Sequence, residues 1–119
     1  METNEIAERL AEYCQKGDFE NAQIELYADD VVSKEQKATD NFEKETKGKD
    51  KVLEKIRKFN GMVEESFGNE VSDSIVTGNS FAFKLTMDIK MKGQERMVMS
   101  EICVYETKDG KVISEQFFM

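Results

Sequence analysis

Hydrophobic residues in the first part of the chain recur at the spacing of a helix. Ile6 and Leu10 lie on one apolar face, which predicts a helix over about 4–16. Gly17 can end that helix, because glycine readily adopts the left-handed conformation found after a helical C-terminus. A second, amphipathic segment over 18–27 predicts another helix directly afterwards.

The middle of the chain predicts a short strand, an irregular segment and a third helix. The strand covers 31–33, and the polar segment 34–47 reads as a loop or lid. The third helix begins after Gly48. Its apolar residues recur at spacings of four, three and four: Val52, Ile56, Phe59 and Val63.

From Glu70 onward the hydrophobic period changes from helical spacing to two. Alternation predicts three long antiparallel strands, over about 80–91, 95–107 and 111–118, and a shorter strand over 70–77. Turn signals separate the long strands: Gly78-Asn79, Lys92-Gly93 and Asp109-Gly110.

These elements predict an α+β fold in which helices cover one face of an antiparallel sheet. Because the meander is long relative to the helices, the sheet must curl around them, and a curled sheet with a helical lid has an open mouth. Such mouths commonly bind ligands, so we expect an internal pocket. The 119 residues are expected to form a single domain, 1–119.

Composition excludes several partners. The formal net charge is −8, whereas a domain that binds a phosphate backbone needs an excess of Lys and Arg, so we expect no nucleic acid. No apolar run reaches the roughly 18 residues that a membrane span requires, so we expect no membrane partner. The acidic, polar N-terminus does not resemble a secretory signal, which makes the cytoplasm the expected location.

The chain contains no His, which excludes Ser-His-Asp and Cys-His nucleophiles and any His-ligated metal. We expect no metal and no cofactor. The two cysteines, Cys14 and Cys103, lie in apolar segments and are expected to be buried free thiols; a disulfide between them is the alternative.

Three segments in sequence order resemble the nuclear-transport-factor-2-like superfamily, which includes SnoaL-like domains and ketosteroid isomerases. Residues 17–32 contain Gly-Asp, an apolar helix and an aromatic-Ala-Asp-Asp sequence before the first strand. Gly48 precedes a Val/Ile helix, and 105–118 resembles the closing hairpin. The resemblance implies a cone-shaped α+β barrel with an internal pocket. It does not indicate a particular function, because proteins that share one fold can catalyse many different reactions.

The resemblance also implies positions for catalytic groups. The ketosteroid isomerase base follows the first strand, where this chain has Glu35. The two oxyanion-hole positions correspond to Leu10 and Cys103, neither of which donates a strong hydrogen bond. Tyr13 lies about 60° around the helix from Leu10, so a shift of one turn would bring its hydroxyl to the pocket.

The register of the closing hairpin decides which acidic side chains face inward. A three-residue turn ending at Gly110 would place Tyr105 opposite Ile113, Cys103 opposite Glu115, Glu101 opposite Phe117, and Met99 opposite Met119. A two-residue turn would instead bring Gln116 and Phe118 to that face and send Glu115 to the other side.

Carboxylates that face the pocket could act as general acids or bases, because desolvation raises the pKa of a Glu toward neutral pH. We therefore name Glu35, Glu101 and Glu115 as catalytic candidates. The alternative for the last two is structural pairing with Arg96, Lys84 or a backbone amide. The expected pocket residues are Leu10, Tyr13, Met87, Met99, Cys103, Tyr105 and Phe117.

The opposite face of the sheet is too apolar for full exposure. It carries Val98, Ile102, Val104 and Phe118, and a two-fold homodimer through the sheet would cover them. The methionines on adjacent strands have two possible roles. They pack in the core or at a subunit interface, or they line an adaptable ligand pocket.

Two functions stay open at this point. The first is binding of a small apolar carbonyl compound, with possible isomerase- or cyclase-like proton transfer. The second is a non-catalytic dimerising accessory or sensor domain whose interior is filled by its own side chains.

Overall fold

The computed structural model describes residues 1–119 as three helices and one seven-stranded sheet. The elements are α1 (Thr3–Lys16), α2 (Phe19–Leu26), β1 (Tyr27–Lys34), β2 (Glu45–Lys47), α3 (Lys49–Met62), β3 (Val63–Val71), β4 (Ile75–Thr77), β5 (Ser80–Met91), β6 (Arg96–Lys108) and β7 (Lys111–Phe118). The sheet is curved and unclosed, which confirms the predicted α+β class. No helix is both long enough and apolar enough to cross a bilayer.

The strands follow the order β2-β1-β7-β6-β5-β3, and β4 pairs with the beginning of β5. All pairings are antiparallel except β1 with β7, which run parallel. The parallel pair joins the N-terminal half of the chain to its last strand. It therefore determines which early residues can meet the closing hairpin.

The helices and long strands were predicted within a few residues, whereas three details of the sheet were wrong. The single strand expected over 70–77 is two strands, β3 and β4, separated by 72–74. Strand β1 begins at Tyr27 instead of Val31, and β2 lies in the segment expected to be a loop. Strand β3 lies at the edge of the sheet and is mostly exposed, so its sequence lacks the hydrophobic alternation that identifies a strand.

The closing hairpin has the expected inward face but not the expected register. Asp109 and Gly110, with φ of 52° and 77°, form a two-residue turn between Lys108 and Lys111. A bulge at Ile113 then shifts the pairing by one residue.

As a result of the turn and the bulge together, Tyr105 lies opposite Glu115, and Cys103 lies opposite Phe117. A two-residue turn alone would have turned Glu115 outward. The bulge cancels that effect, and Glu115 is buried. Ile113, which was expected opposite Tyr105, is the unpaired residue of the bulge.

One hydrophobic core lies between the concave face of the sheet and the helices. On α1 the buried residues are Ile6, Ala7, Leu10 and Cys14. On β5 every second residue is buried, and the ring of Phe81 stacks on Tyr105 of β6 with centroids 4.9 Å apart. Both cysteines are buried free thiols, as expected.

Candidate active site

A cavity of about 470 Å³ remains between the concave sheet and the three helices. This volume lies within the range of roughly 300–1,000 Å³ that is typical of small-molecule sites. Hydrophobic side chains make up 17 of the 25 residues in its wall. The charged residues of the wall are Glu35, Lys55, Glu101 and Glu115.

Glu115 is the most deeply buried of these charged groups, with 2% of its surface exposed. The parallel pairing of β1 with β7 places it beside Ser33, whose hydroxyl donates to Oε2 over 2.6 Å. The hydroxyl of Tyr27, at the start of β1, donates to Oε1. Burial raises the pKa of Glu115, and the two hydrogen bonds oppose that rise by stabilising the carboxylate. Glu115 is thus buried with both carboxylate oxygens satisfied.

Lys55 of α3 is the one cationic residue in the cavity wall. Its ammonium donates to Ser33 Oγ over 2.8 Å and to Oε2 of Glu35 over 2.6 Å. An ammonium has three N–H donors, so one donor has no protein partner. The nitrogen also lies 5.5 Å from the centroid of the Phe117 ring, which forms part of the same wall.

Glu101 of β6 differs from the other two carboxylates because it has no oxygen or nitrogen partner. Its one hydrogen-bond contact is the thiol of Cys103, with Sγ 3.8 Å from Oε1. Desolvation, followed by the charges of Glu35 and Glu115, raises the pKa of Glu101 to about 7, and the charge of Lys55 opposes this rise. Near neutral pH this carboxyl group can therefore both accept and return a proton.

The fold brings five of the seven expected pocket residues to the cavity. Leu10, Met87, Met99, Tyr105 and Phe117 all contribute to the cavity wall.

The other two pocket candidates do not reach the cavity. Cys103 is fully buried behind the wall, and burial keeps its thiol neutral by raising its pKa. The hydroxyl of Tyr13 donates to Glu25 over 2.6 Å, and Glu25 also binds Arg9. This contact holds the Tyr13 hydroxyl between α1 and α2, and α1 keeps the register that directs Leu10 inward.

Four functional candidates were missed in the sequence: Gln23, Tyr27, Ser33 and Lys55. Two of them had a recognisable signal. Lys55 lies three residues after Val52 and four before Phe59, so it falls on the apolar face of α3. Gln23 lies on the buried face of α2 in the same way. A polar residue at an apolar helix position indicates that the side chain has a partner inside the fold or in a site.

No group of three or more His, Cys, Asp or Glu side chains is arranged to hold a metal ion.

The sequence of the whole chain, residues 1–119, matches the family model described as a SnoaL-like domain. A crystal structure from Mesorhizobium loti is similar over 100% of both chains, with 30% identity and a TM-score of 0.88. That protein is provisionally described as a SnoaL-like polyketide cyclase, and its description also carries the words carbohydrate phosphatase. A search of curated proteins returns no significant match.

Two more distant structures share the fold. A protein from Catenulispora acidiphila with a ketosteroid-isomerase-like fold, in complex with trimethylamine, is 14% identical with a TM-score of 0.74, over 97% of this chain and 85% of that one. TerC, co-crystallised with polyporic acid, is 11% identical with a TM-score of 0.80, over 98% and 90% of the two chains. At these identities the likeness concerns the fold alone.

Proposed function

Since the chain belongs to the SnoaL-like domain family, we propose that it binds a small, largely apolar carbonyl compound and transfers a proton on it through Glu101. The observation that carries the proposal is the position of Glu101, which is a carboxylate without an oxygen or nitrogen partner in the wall of an apolar cavity. Glu101 is partly buried, and a desolvated carboxylate without such a partner in a cavity wall indicates a catalytic or binding role.

The proposed step is removal of a proton from the carbon next to the carbonyl group. The Glu101 carboxylate takes the proton, the C–H electrons form a carbon–carbon double bond, and the carbonyl oxygen becomes an enolate. Return of the proton to a different carbon would complete an isomerisation, and no cofactor is required. Because enolate formation develops negative charge on oxygen, the site needs a donor at that point.

Lys55 supports this step, since it is the one cation of the wall and has an unused N–H donor. The positions that hold oxyanion donors in ketosteroid isomerases are occupied here by Leu10 and Cys103, and Lys55 would take over their role. Glu35 and Glu115 would act indirectly. Glu35 holds the ammonium, and both charges raise the pKa of Glu101.

The open cavity favours ligand binding over a domain filled by its own side chains. The test is a thermal-shift screen of hydrophobic ketones, including 2-tetralone, combined with deuterium exchange at the carbon next to the carbonyl. We expect the parent protein to be stabilised and to catalyse exchange, and Glu101→Gln to lose about 100-fold or more of that rate. Equal rates in the two proteins would reject Glu101 as the base. Stabilisation without exchange would instead indicate a ligand sensor.

We also propose a homodimer through the convex face of the sheet. Val98 and Ile102 of β6 are 68% and 52% exposed, and Phe118 of β7 is the register partner of Ile102. These side chains form an apolar patch that is interrupted by Ser100, between Val98 and Ile102, and that a second copy would bury. A two-fold contact would place each patch on its own counterpart, so that apolar surface meets apolar surface. The cytoplasmic location stays a prediction.

A further inference from the structure

Gln23 is a polar residue in the cavity wall that the proposed proton transfer does not use. It lies on α2 with 6% of its surface exposed, on the same face as Phe19 and Ala22, which also line the cavity. Its amide oxygen is buried and has no hydrogen-bond partner within the protein. A buried amide oxygen without a partner in an apolar wall lowers the stability of the unliganded fold.

Nothing in the packing of α2 requires an amide at this position. The other buried residues of the helix include Ala22 and Leu26, and a leucine in place of Gln23 would satisfy the same apolar face without an unpaired polar group. By contrast, Tyr27, which is one turn further along, uses its hydroxyl to bind Glu115 within the fold. A partner for the amide oxygen of Gln23 can therefore come only from outside the fold.

We propose that Gln23 selects ligands carrying a hydroxyl group remote from the carbonyl group on which Glu101 acts. A hydroxyl both donates and accepts, so it can pair with an amide whichever way the oxygen and nitrogen are oriented. Gln23 belongs to the helical wall of the cavity and Glu101 to the sheet wall. A ligand that spans the cavity would meet one polar group at each wall and apolar side chains between them.

This inference rests on the proposed function and narrows its substrate class to hydroxylated carbonyl compounds with an apolar body. Pairing the amide with the ligand hydroxyl adds one hydrogen bond to binding. The same hydrogen bond satisfies the Gln23 amide. A ligand without the hydroxyl would leave that amide unpaired and would desolvate it further.

The test compares 2-tetralone with 6-hydroxy-2-tetralone, which differ by one hydroxyl on the ring remote from the carbonyl. Dissociation constants would be measured by isothermal titration and exchange rates by deuterium incorporation. We expect the parent protein to bind the hydroxylated ketone about tenfold more tightly, as one added neutral hydrogen bond suggests. Gln23→Leu should lose this preference, keep its affinity for 2-tetralone, and unfold at the same or a higher temperature than the parent.

Gln94→Leu is the matched control, because Gln94 also lines the cavity but is solvent-exposed. It should keep the preference of the parent. Gln23→Met supplies a second, linear replacement should the leucine variant fail to fold. The role of Gln23 would be overturned if the parent bound the two ketones equally, or if the Gln23 variants kept the preference for the hydroxylated ketone. In either case, continued exchange by Glu101 would leave the proposed function intact. Absence of binding and exchange with both ketones would overturn the two proposals together.

Discussion

The ammonium nitrogen of Lys55 lies 2.6 Å from Oε2 of Glu35, so a carboxylate already neutralises the one cation of the cavity wall. The buried carboxylate of Glu115 is satisfied by two hydroxyl donors. Among the acidic residues of the wall, only Glu101 is left without an oxygen or nitrogen partner. This division of partners leaves Glu101 as the carboxyl group of the wall that is available to a ligand.

The rate of proton exchange should depend on pH through Glu101. Only the deprotonated carboxyl group can remove a proton, and the pKa of Glu101 is raised to about 7. The rate should therefore rise with pH, reach half of its maximum at about pH 7, and level off roughly one to two pH units higher. Deuterium exchange of 2-tetralone, corrected for the reaction in buffer alone, would measure it. A rate that does not change between about pH 5 and pH 8 would contradict Glu101 as the base.

The stability of the fold should also depend on the ionisation of Glu101. It should fall as pH rises, whereas the exchange rate rises. The pKa of Glu101 is raised from 4.5 to about 7, so folding favours the protonated form. Its contribution to stability is complete below about pH 4.5 and is lost as pH rises through about 7. The loss is at most about 3.5 kcal/mol, at about 1.4 kcal/mol per pKa unit.

Urea unfolding at about pH 5 and pH 8 would measure this effect in the parent and in Glu101→Gln. The parent should lose more of its free energy of unfolding between the two pH values than the variant, which cannot ionise there. Subtracting one protein from the other removes the contributions of other groups, including Glu115. The same pH dependence in both proteins would show that Glu101 titrates normally.

Lys55→Met should change both the rate and its pH profile. The charge of Lys55 lowers the pKa of Glu101, so its removal should raise that pKa above about 7 and move the rising part of the profile to higher pH. Loss of the donor to the enolate should lower the maximal rate by roughly 100-fold.

Lys51→Met is the control for Lys55→Met. Lys51 lies one turn earlier on α3, is exposed, and makes no side-chain hydrogen bond or ion pair. It should leave the profile unchanged. If Lys55→Met lowers the exchange rate but does not shift its pH profile, Lys55 acts as a hydrogen-bond donor only. That result would contradict an effect of the Lys55 charge on the pKa of Glu101.

Ile102→Glu should produce a monomer. The change introduces a charge in the centre of the convex apolar patch, where two copies would place like charges against each other. Sedimentation velocity of the parent should show a dimer. Ile24→Glu, on the 47% exposed outer surface of α2, should leave the dimer intact. A monomeric parent protein would reject this interface.

Much of the fold follows from local sequence patterns. The alternation of β5 gave the bounds of that strand and its buried face, and the helical spacing in α1 directed Leu10 to the cavity. Such patterns are visible because each element buries one face. Where burial is slight, as in β3, the pattern disappears and the prediction was wrong.

The candidate site was determined by contacts between distant parts of the chain. Ser33 meets Glu115 because β1 and β7 pair in parallel, and Glu115 faces inward because a bulge at Ile113 compensates for a short turn. The sequence by itself determined which elements form and identified the acidic residues near the cavity. Only the tertiary structure decided that Glu101 has no oxygen or nitrogen partner, because hydrogen-bond partners and desolvation depend on residues that are far apart in the chain and adjacent in space.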